Sequence, residues 1–183
     1  MAVRSWPLLD STPVVDAGLF RVARDRSLSP RTGAEHDFLR IDIADFVLVV
    51  AVTRAQALVL VRQYRHGARA ASLEIPGGLH DPGETPQQGA ERELREETGY
   101  GGGVWSLLGE LRPQPALLSN RAWIFFADGV EFLSAPEPDP GEDIEIELLP
   151  STALAASLAA GQLDNALTIA ALGLARFAGH LGR

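Results

Sequence analysis

Residues 78–100 read GLHDPGETPQQGAERELREETGY, and within them a helix has both of its ends specified. Thr85 can cap the N-terminus, Pro86 suits the first helical position, Gln88 can complete a capping box, and Gly99 can close the C-terminus. The register of a helix over 85–98 is therefore set by its own caps. In that register Glu93, Glu96 and Glu97 are spaced i, i+3 and i+4 and share one face, while Ala90 and Leu94 line up on another that can pack against a sheet.

Three carboxylates on one face repel one another, at a cost of a few tenths of a kcal/mol per pair. Two readings account for them: a solvated face neutralised by Arg92 and Arg95, or a cation site. The residues ahead of the helix, EIPGGLHDPGE, read as a strand running into a glycine-rich loop, in which Gly77 and Gly78 allow the backbone to approach a ligand. Carboxylates beside a backbone carbonyl make a set of hard oxygen donors, which suits Mg²⁺ or Mn²⁺ with positions left for water and phosphate.

The surrounding pattern predicts an α+β chain with a mixed or antiparallel sheet. DFVLVVAVT (45–53) and ALVLVRQYR (57–65) flank a short polar turn, as in a hairpin. SLEIP, VWSLLGELR, RAWIFFADGVEF and IEIELLP are further strands. Ahead of them, PVVDAGLFRVARDRSLSP and DFLRIDIAD suggest a pair of strands, giving an N-terminal β subdomain over residues 1–45 before a main domain at 46–183. Two more helices are expected, one beginning near Ser151 or Thr152 and ending at Gly161, the other running from Asp164 or Asn165 to the C-terminus. The Pro- and acid-rich SAPEPDPGED (134–143) reads as a loop.

A formal charge of −8 and a pI near 5.0 provide no basic field for nucleic acid or anionic lipid. An anionic ligand would need local arginines or a metal. With no cysteine, disulfides, thiolate nucleophiles and Cys-ligated zinc are excluded. No apolar run is long enough for a signal peptide or a membrane span, so a soluble cytoplasmic protein is expected.

With Gly78, Glu84, Arg92, Glu93, Leu94, Glu96, Glu97, Gly99 and Tyr100 in place, the quoted stretch resembles the signature of the Nudix hydrolases. Tyr100 stands where an aliphatic residue is usual. The flanks VRQYRHG, LEIPGG, EETGY, GEDIEIELLP and GQLDNALTIAAL resemble the ADP-ribose pyrophosphatase and nucleotide-sugar branch. Pro115-Ala116 depart from the Ser-Pro-Gly common in that branch, which leaves other nucleotide sugars open. The resemblance implies a Nudix fold, with a mixed sheet sandwiched between helices. It also implies metal-dependent hydrolysis of a nucleoside diphosphate linked to a sugar, and a homodimer built with the N-terminal strands. The alternatives are hydrolysis of nucleoside triphosphates or dinucleoside polyphosphates, or a non-catalytic nucleotide sensor.

By the same resemblance Glu93 and Glu97 are principal metal ligands, Glu96 an additional one and the Gly77 carbonyl a further donor, with Arg92 orienting the glutamates. A general base must come from elsewhere, and GEDIEIEL offers several carboxylates. If Ile144 and Ile146 point inward, then Asp143, Glu145 and Glu147 face the other way and Glu142 sits on the loop before the strand; Glu142 matches the position of the base in this branch. Arg65 is a candidate contact to substrate phosphate or ribose and Glu74 a candidate hydrogen-bond partner of the ligand, unless the two pair with each other.

Overall fold

The computed structural model describes residues 2–182. Among the described residues eleven strands and three α-helices divide between two compact units, one made of the residues up to 44 with 112–121, the other of 45–111 with those from 122 onward.

The first unit is an antiparallel sheet of β1 (Leu8–Asp16), β2 (Phe20–Leu28) and β3 (Glu35–Ile43), in that order. The sequence pattern predicts two strands here; there are three. Asp16 and Gly18 explain the extra one: the Asp16 carboxylate accepts the Gly18 N–H at 3.0 Å, and Gly18 turns the chain at φ 76°, so the run from Pro13 reverses instead of continuing. The segment 112–121 belongs to this unit because it docks on β3. Ile41 N–H donates to the Leu117 carbonyl at 2.8 Å, and the Ser119 hydroxyl donates to Asp42 at 2.6 Å.

The second unit is an eight-stranded mixed sheet with helices on both faces. It contains β4 (Phe46–Thr53), β5 (Ala57–Arg65), β6 (Ala70–Glu74), β7 (Gly77–Leu79), β8 (Tyr100–Gly101), β9 (Val104–Leu111), β10 (Ala122–Phe132) and β11 (Ile144–Pro150). The main path runs β11-β5-β4-β10-β8; β6 pairs with β5, β7 with β4 and β9 with β10. The hairpin of β4 and β5 is paired only beside its turn, at Ala51 with Val59 and Val52 with Leu58. Beyond that point β7 takes the place of β5 against the start of β4. At the centre β4 lies parallel to β10, and both are apolar on both faces, as parallel strands covered from two sides must be.

Helix α1 (Pro86–Thr98) covers one face. Its Ala90 and Leu94 are fully buried against Val47, Val49, Val59 and Phe125. On the other face α2 (Leu154–Ala159), entered through a 3₁₀ turn at Ser151–Ala153, and α3 (Ala166–Phe177) pack Leu154, Ala171, Leu172 and Ala175 onto Val50, Leu60 and Ile124. No helix among the described residues is long and apolar enough to cross a membrane.

Candidate active site

Helix α1 is capped as its sequence requires. Thr85 Oγ1 accepts the Gln88 N–H at 3.3 Å, the Gln88 side chain accepts the Thr85 N–H at 2.8 Å, and Gly99 closes the helix in the left-handed region at φ 71°. Tyr100, the unusual residue of the motif, is half-buried against the cluster under α1 and meets Phe132 edge-on at 5.6 Å. An aromatic ring thus does the packing that an aliphatic side chain would otherwise do.

The three glutamates of α1 do not end up equivalent. Glu97 is 2% exposed, and its Oε2 accepts the Gly77 N–H at 2.9 Å. Glu93 lies against Gly78, where a Cβ would stand 2.5 Å from its Oε1, so only glycine leaves that carboxylate room. Glu96 is more open and is held by Arg92. Gly77 is constrained as tightly: at φ 156° it lies so close to β4 that a Cβ would meet the Val47 carbonyl at 2.3 Å.

Arg92 ties the acidic loop to the acidic helix. Its Nη1 donates to Glu93 at 2.9 Å and to Glu96 at 3.0 Å. Its Nη2 donates to the Leu79 carbonyl and to Glu84 Oε1, both at 3.0 Å, and its Nε donates to Glu84 Oε2 at 3.2 Å. Glu84, held chiefly by that hydrogen bonding, keeps its carboxyl below the usual range. Sequence reasoning gave Glu84 no role beyond filling the motif, because a loop carboxylate eight residues before an arginine carries no helical spacing to announce the pair.

Burial pushes the Glu97 carboxyl up to about 8, and the charges of Glu93 and Glu142 add to the effect against the Gly77 hydrogen bond and Arg65. Burial also raises Glu93, with Arg92 opposing and Glu96 and Glu142 reinforcing. The carboxylates of Glu93, Glu97 and Glu142, from a helix and a distant loop, thus share one electrostatic environment. The loop is held near the end of α1 by its backbone: Leu133 N–H donates to the Gly99 carbonyl and Glu137 N–H to the Glu96 carbonyl, each at 2.8 Å. Glu142 itself folds back on its turn, its Oε2 accepting the Asp139 N–H at 3.1 Å.

Arg65 and Glu74 pair bidentately, Nε to Oε1 at 2.9 Å and Nη2 to Oε2 at 2.8 Å. Burial acts to raise the Glu74 carboxyl, but Arg65, aided by Ser72 and Asn165, brings it below the usual value. Arg65 is in turn within the field of Glu97 and Glu142. Of the other acidic residues weighed as a base, Glu147 pairs with Arg62 at 2.8 Å, and Glu145 is exposed on β11.

Among the described residues no three Asp, Glu or His side chains form a ready-made metal cluster. The donor set nevertheless fits a hard divalent ion. Two desolvated carboxylates, Glu93 and Glu97, repel each other and Glu142, and a cation would relieve that repulsion while leaving positions for substrate oxygens.

Comparison with known proteins agrees with this picture. The NUDIX domain family is matched over residues 44–171. The chain is 29% identical over 174 residues to an ADP-ribose pyrophosphatase of Mycobacterium tuberculosis, covering 93% of this chain and 83% of that protein. It is 30% identical over 136 residues to the ADP compounds hydrolase NudE of Escherichia coli, covering 73% of each. It is also 29% identical over 174 residues to the ADP-sugar pyrophosphatase of Mus musculus, covering 90% and 76%. A crystal structure of an ADP compounds hydrolase superposes with a TM-score of 0.84 at 25% identity, covering 97% of this chain and 95% of that one. The likeness to the ADP-ribose pyrophosphatases expected from the flanking motifs is therefore found along nearly the whole chain, and the fold is that of the family. The chain belongs to the Nudix family and is a Nudix pyrophosphohydrolase.

Proposed function

We propose that the protein hydrolyses the pyrophosphate bond of a nucleoside diphosphate linked to a sugar, ADP-ribose or a related nucleotide sugar, giving a nucleoside monophosphate and a sugar phosphate. The desolvated pair Glu93 and Glu97, on α1 against the glycine loop, with Glu97 in the fields of Glu142 and Arg65, is the observation that supports it. When bound, Mg²⁺ or Mn²⁺ supplies neutralisation of the diphosphate and activation of the attacking water. Glu93 and Glu97 would hold it, with Glu96 and the Gly77 carbonyl as further donors and Arg92 fixing the glutamates from behind. Water attacks one phosphorus, the bridging P–O bond breaks, and Glu142 accepts the water's proton. Arg65, pinned by Glu74, has its Nη1 outside that pair to meet a substrate phosphate or ribose oxygen.

A panel of nucleoside diphosphate compounds with Mg²⁺, read as phosphate released after a phosphatase step, tests the assignment. ADP-ribose or a nucleotide sugar is expected to be turned over with the highest kcat/KM. A clear preference for nucleoside triphosphates or dinucleoside polyphosphates would replace it with a different Nudix activity, and no turnover of any compound would favour a sensor.

The N-terminal β subdomain, residues 1–45 ahead of a hydrolase domain at 46–183, is proposed to form a homodimer. β1 is exposed along its whole length, and Leu8, Leu9, Val14, Val15, Phe38 and Leu39 leave a large apolar area uncovered on this sheet. Light scattering at assay concentration is expected to report a dimer. A fully active monomer would overturn the assignment.

A further inference from the structure

Helix α3 lies on the face of the sheet opposite α1 and carries none of the glutamates of the 78–100 motif, yet its first turn reaches the strand that leads into the glycine loop. Asn165 caps α3, its Oδ1 accepting the Thr168 N–H at 3.0 Å. The Thr168 hydroxyl, fully buried, accepts the N–H of Ile75 at 3.2 Å. Asn165 also acts on Glu74, the partner of Arg65, helping to hold its carboxyl below the ordinary value. Next to Ile75 the Pro76 carbonyl accepts the Val49 N–H at 3.0 Å, and one residue further the Gly77 N–H holds Glu97.

We infer that Thr168 and Asn165 are positioning residues that set the path of Ile75–Gly77, and through it the Gly77 amide that orients Glu97 and the guanidinium of Arg65. The inference rests on the proposed role of Glu97. The physical case begins with Ile75. It is 2% exposed and sits beyond the end of β6, so its N–H has no place in the ladder with β5. A buried N–H without an acceptor costs the full desolvation of that group, and Thr168 supplies the acceptor. Without it the short stretch between β6 and β7 would have to move to find water or another carbonyl. Gly77 has little freedom to follow, being in contact range of the β4 backbone, so the strain would fall on its bond to Glu97. Ser72, which donates to Asp164 at 3.4 Å, ties the same turn of chain to the middle of β6.

Thr168→Val keeps the shape and removes the acceptor; Thr168→Ser keeps the acceptor and removes a methyl; Asn165→Ala removes the cap and its hold on Glu74. Amide hydrogen exchange of the metal-free protein, followed by NMR, needs no substrate. Thr168→Val is expected to speed exchange at Ile75 and Gly77 by at least about tenfold while central β4 and β10 stay protected, and to weaken Mn²⁺ binding in calorimetry by a comparable factor. Thr168→Ser should restore both, and Asn165→Ala should show a smaller change in the same direction. Unchanged exchange at Gly77 and unchanged Mn²⁺ affinity in Thr168→Val would overturn the inference. So would a uniform loss of protection across β4 and β10, or a Ser variant that behaves like Val, since each would make Thr168 a packing residue only. Should the panel above find no substrate while the exchange result holds, the positioning stands and the assigned reaction fails.

Discussion

Glu97→Gln is expected to lower turnover by at least about 10³-fold, since a ligand to a catalytic metal is asked to supply several kcal/mol and each 1.36 kcal/mol is a factor of ten. The amide keeps the shape and can still accept the Gly77 N–H, so the loss would come from charge and not from a collapsed loop. The same substitution is expected to stabilise the metal-free protein at alkaline pH. Glu97 has a folded value of about 8 against an ordinary 4.5, chiefly because burial penalises its ionised form. The folded state therefore binds this proton more tightly than the unfolded chain does. The associated stability is complete below about 4.5 and is lost as pH rises through about 8. At roughly 1.4 kcal/mol per pH unit of difference, the ionised carboxylate costs the metal-free fold about 5 kcal/mol. In a chain of this length that corresponds to roughly 10–20 °C of melting temperature. Thermal melts in chelator should thus show wild type losing stability between pH 5 and pH 8.5 on this account, with Glu97→Gln free of that component and melting higher at pH 8.5. Mn²⁺ should stabilise wild type and not the variant. Undiminished Mn²⁺ affinity in both Glu97→Gln and Glu93→Gln would remove them from the metal site.

Much of the site could be read in advance because α1 carries its own register. The Thr85 and Gln88 capping box and Gly99 fix where each glutamate points, and the structure has both caps. What periodicity could not reveal is depth. Helical spacing places Glu93, Glu96 and Glu97 on one face, but the glycine loop lies nearer one edge of it, so Glu97 is buried under Gly77 while Glu96 stays open. The sequence allows Arg65 to pair with Glu74 as well as to meet substrate; the pair is formed, because in the antiparallel ladder Glu74 lies opposite Val61, on the same face as Arg65, and the long guanidinium side chain reaches back along the hairpin to it. Fold elements that depend on distant partners were least legible. β7 and β8 are three and two residues long, too short for any period to register. The parallel pairing of β4 with β10 is a contact between segments some seventy residues apart, and nothing local in either run encodes it. The docking of 112–121 on β3 is also non-local, made through the Leu117 carbonyl and the Ser119 hydroxyl.

Glu142→Gln is expected to reduce kcat by roughly 10²- to 10⁴-fold, the usual reach of general-base catalysis, with KM and Mn²⁺ affinity little changed. The structure gives this residue two properties a base on a closing loop needs. Its charge is felt by Glu93, Glu97 and Arg65, although it lies on a fully exposed loop. Its carboxylate also accepts, in this conformation, a hydrogen bond from the Asp139 N–H within its own turn. Breaking one exposed local bond costs little, about 1 kcal/mol, so the carboxylate can be released toward substrate without disturbing the sheet. The tether of the loop to α1, through the Gly99 and Glu96 carbonyls, keeps the swing short. Glu145→Gln is the control. Glu145 lies on β11 opposite Arg62, where the ladder with β5 fixes its backbone and gives it no comparable freedom. Steady-state kinetics on both variants, with metal affinity measured in parallel, separate the possibilities. A loss confined to Glu142→Gln places the base on the loop. A loss confined to Glu145→Gln places it on the strand and removes any role for loop closure in proton transfer. If neither variant slows turnover, the water is deprotonated without a carboxylate from this segment, and the catalytic contribution of the chain reduces to the α1 glutamates with Arg92 and the glycine loop.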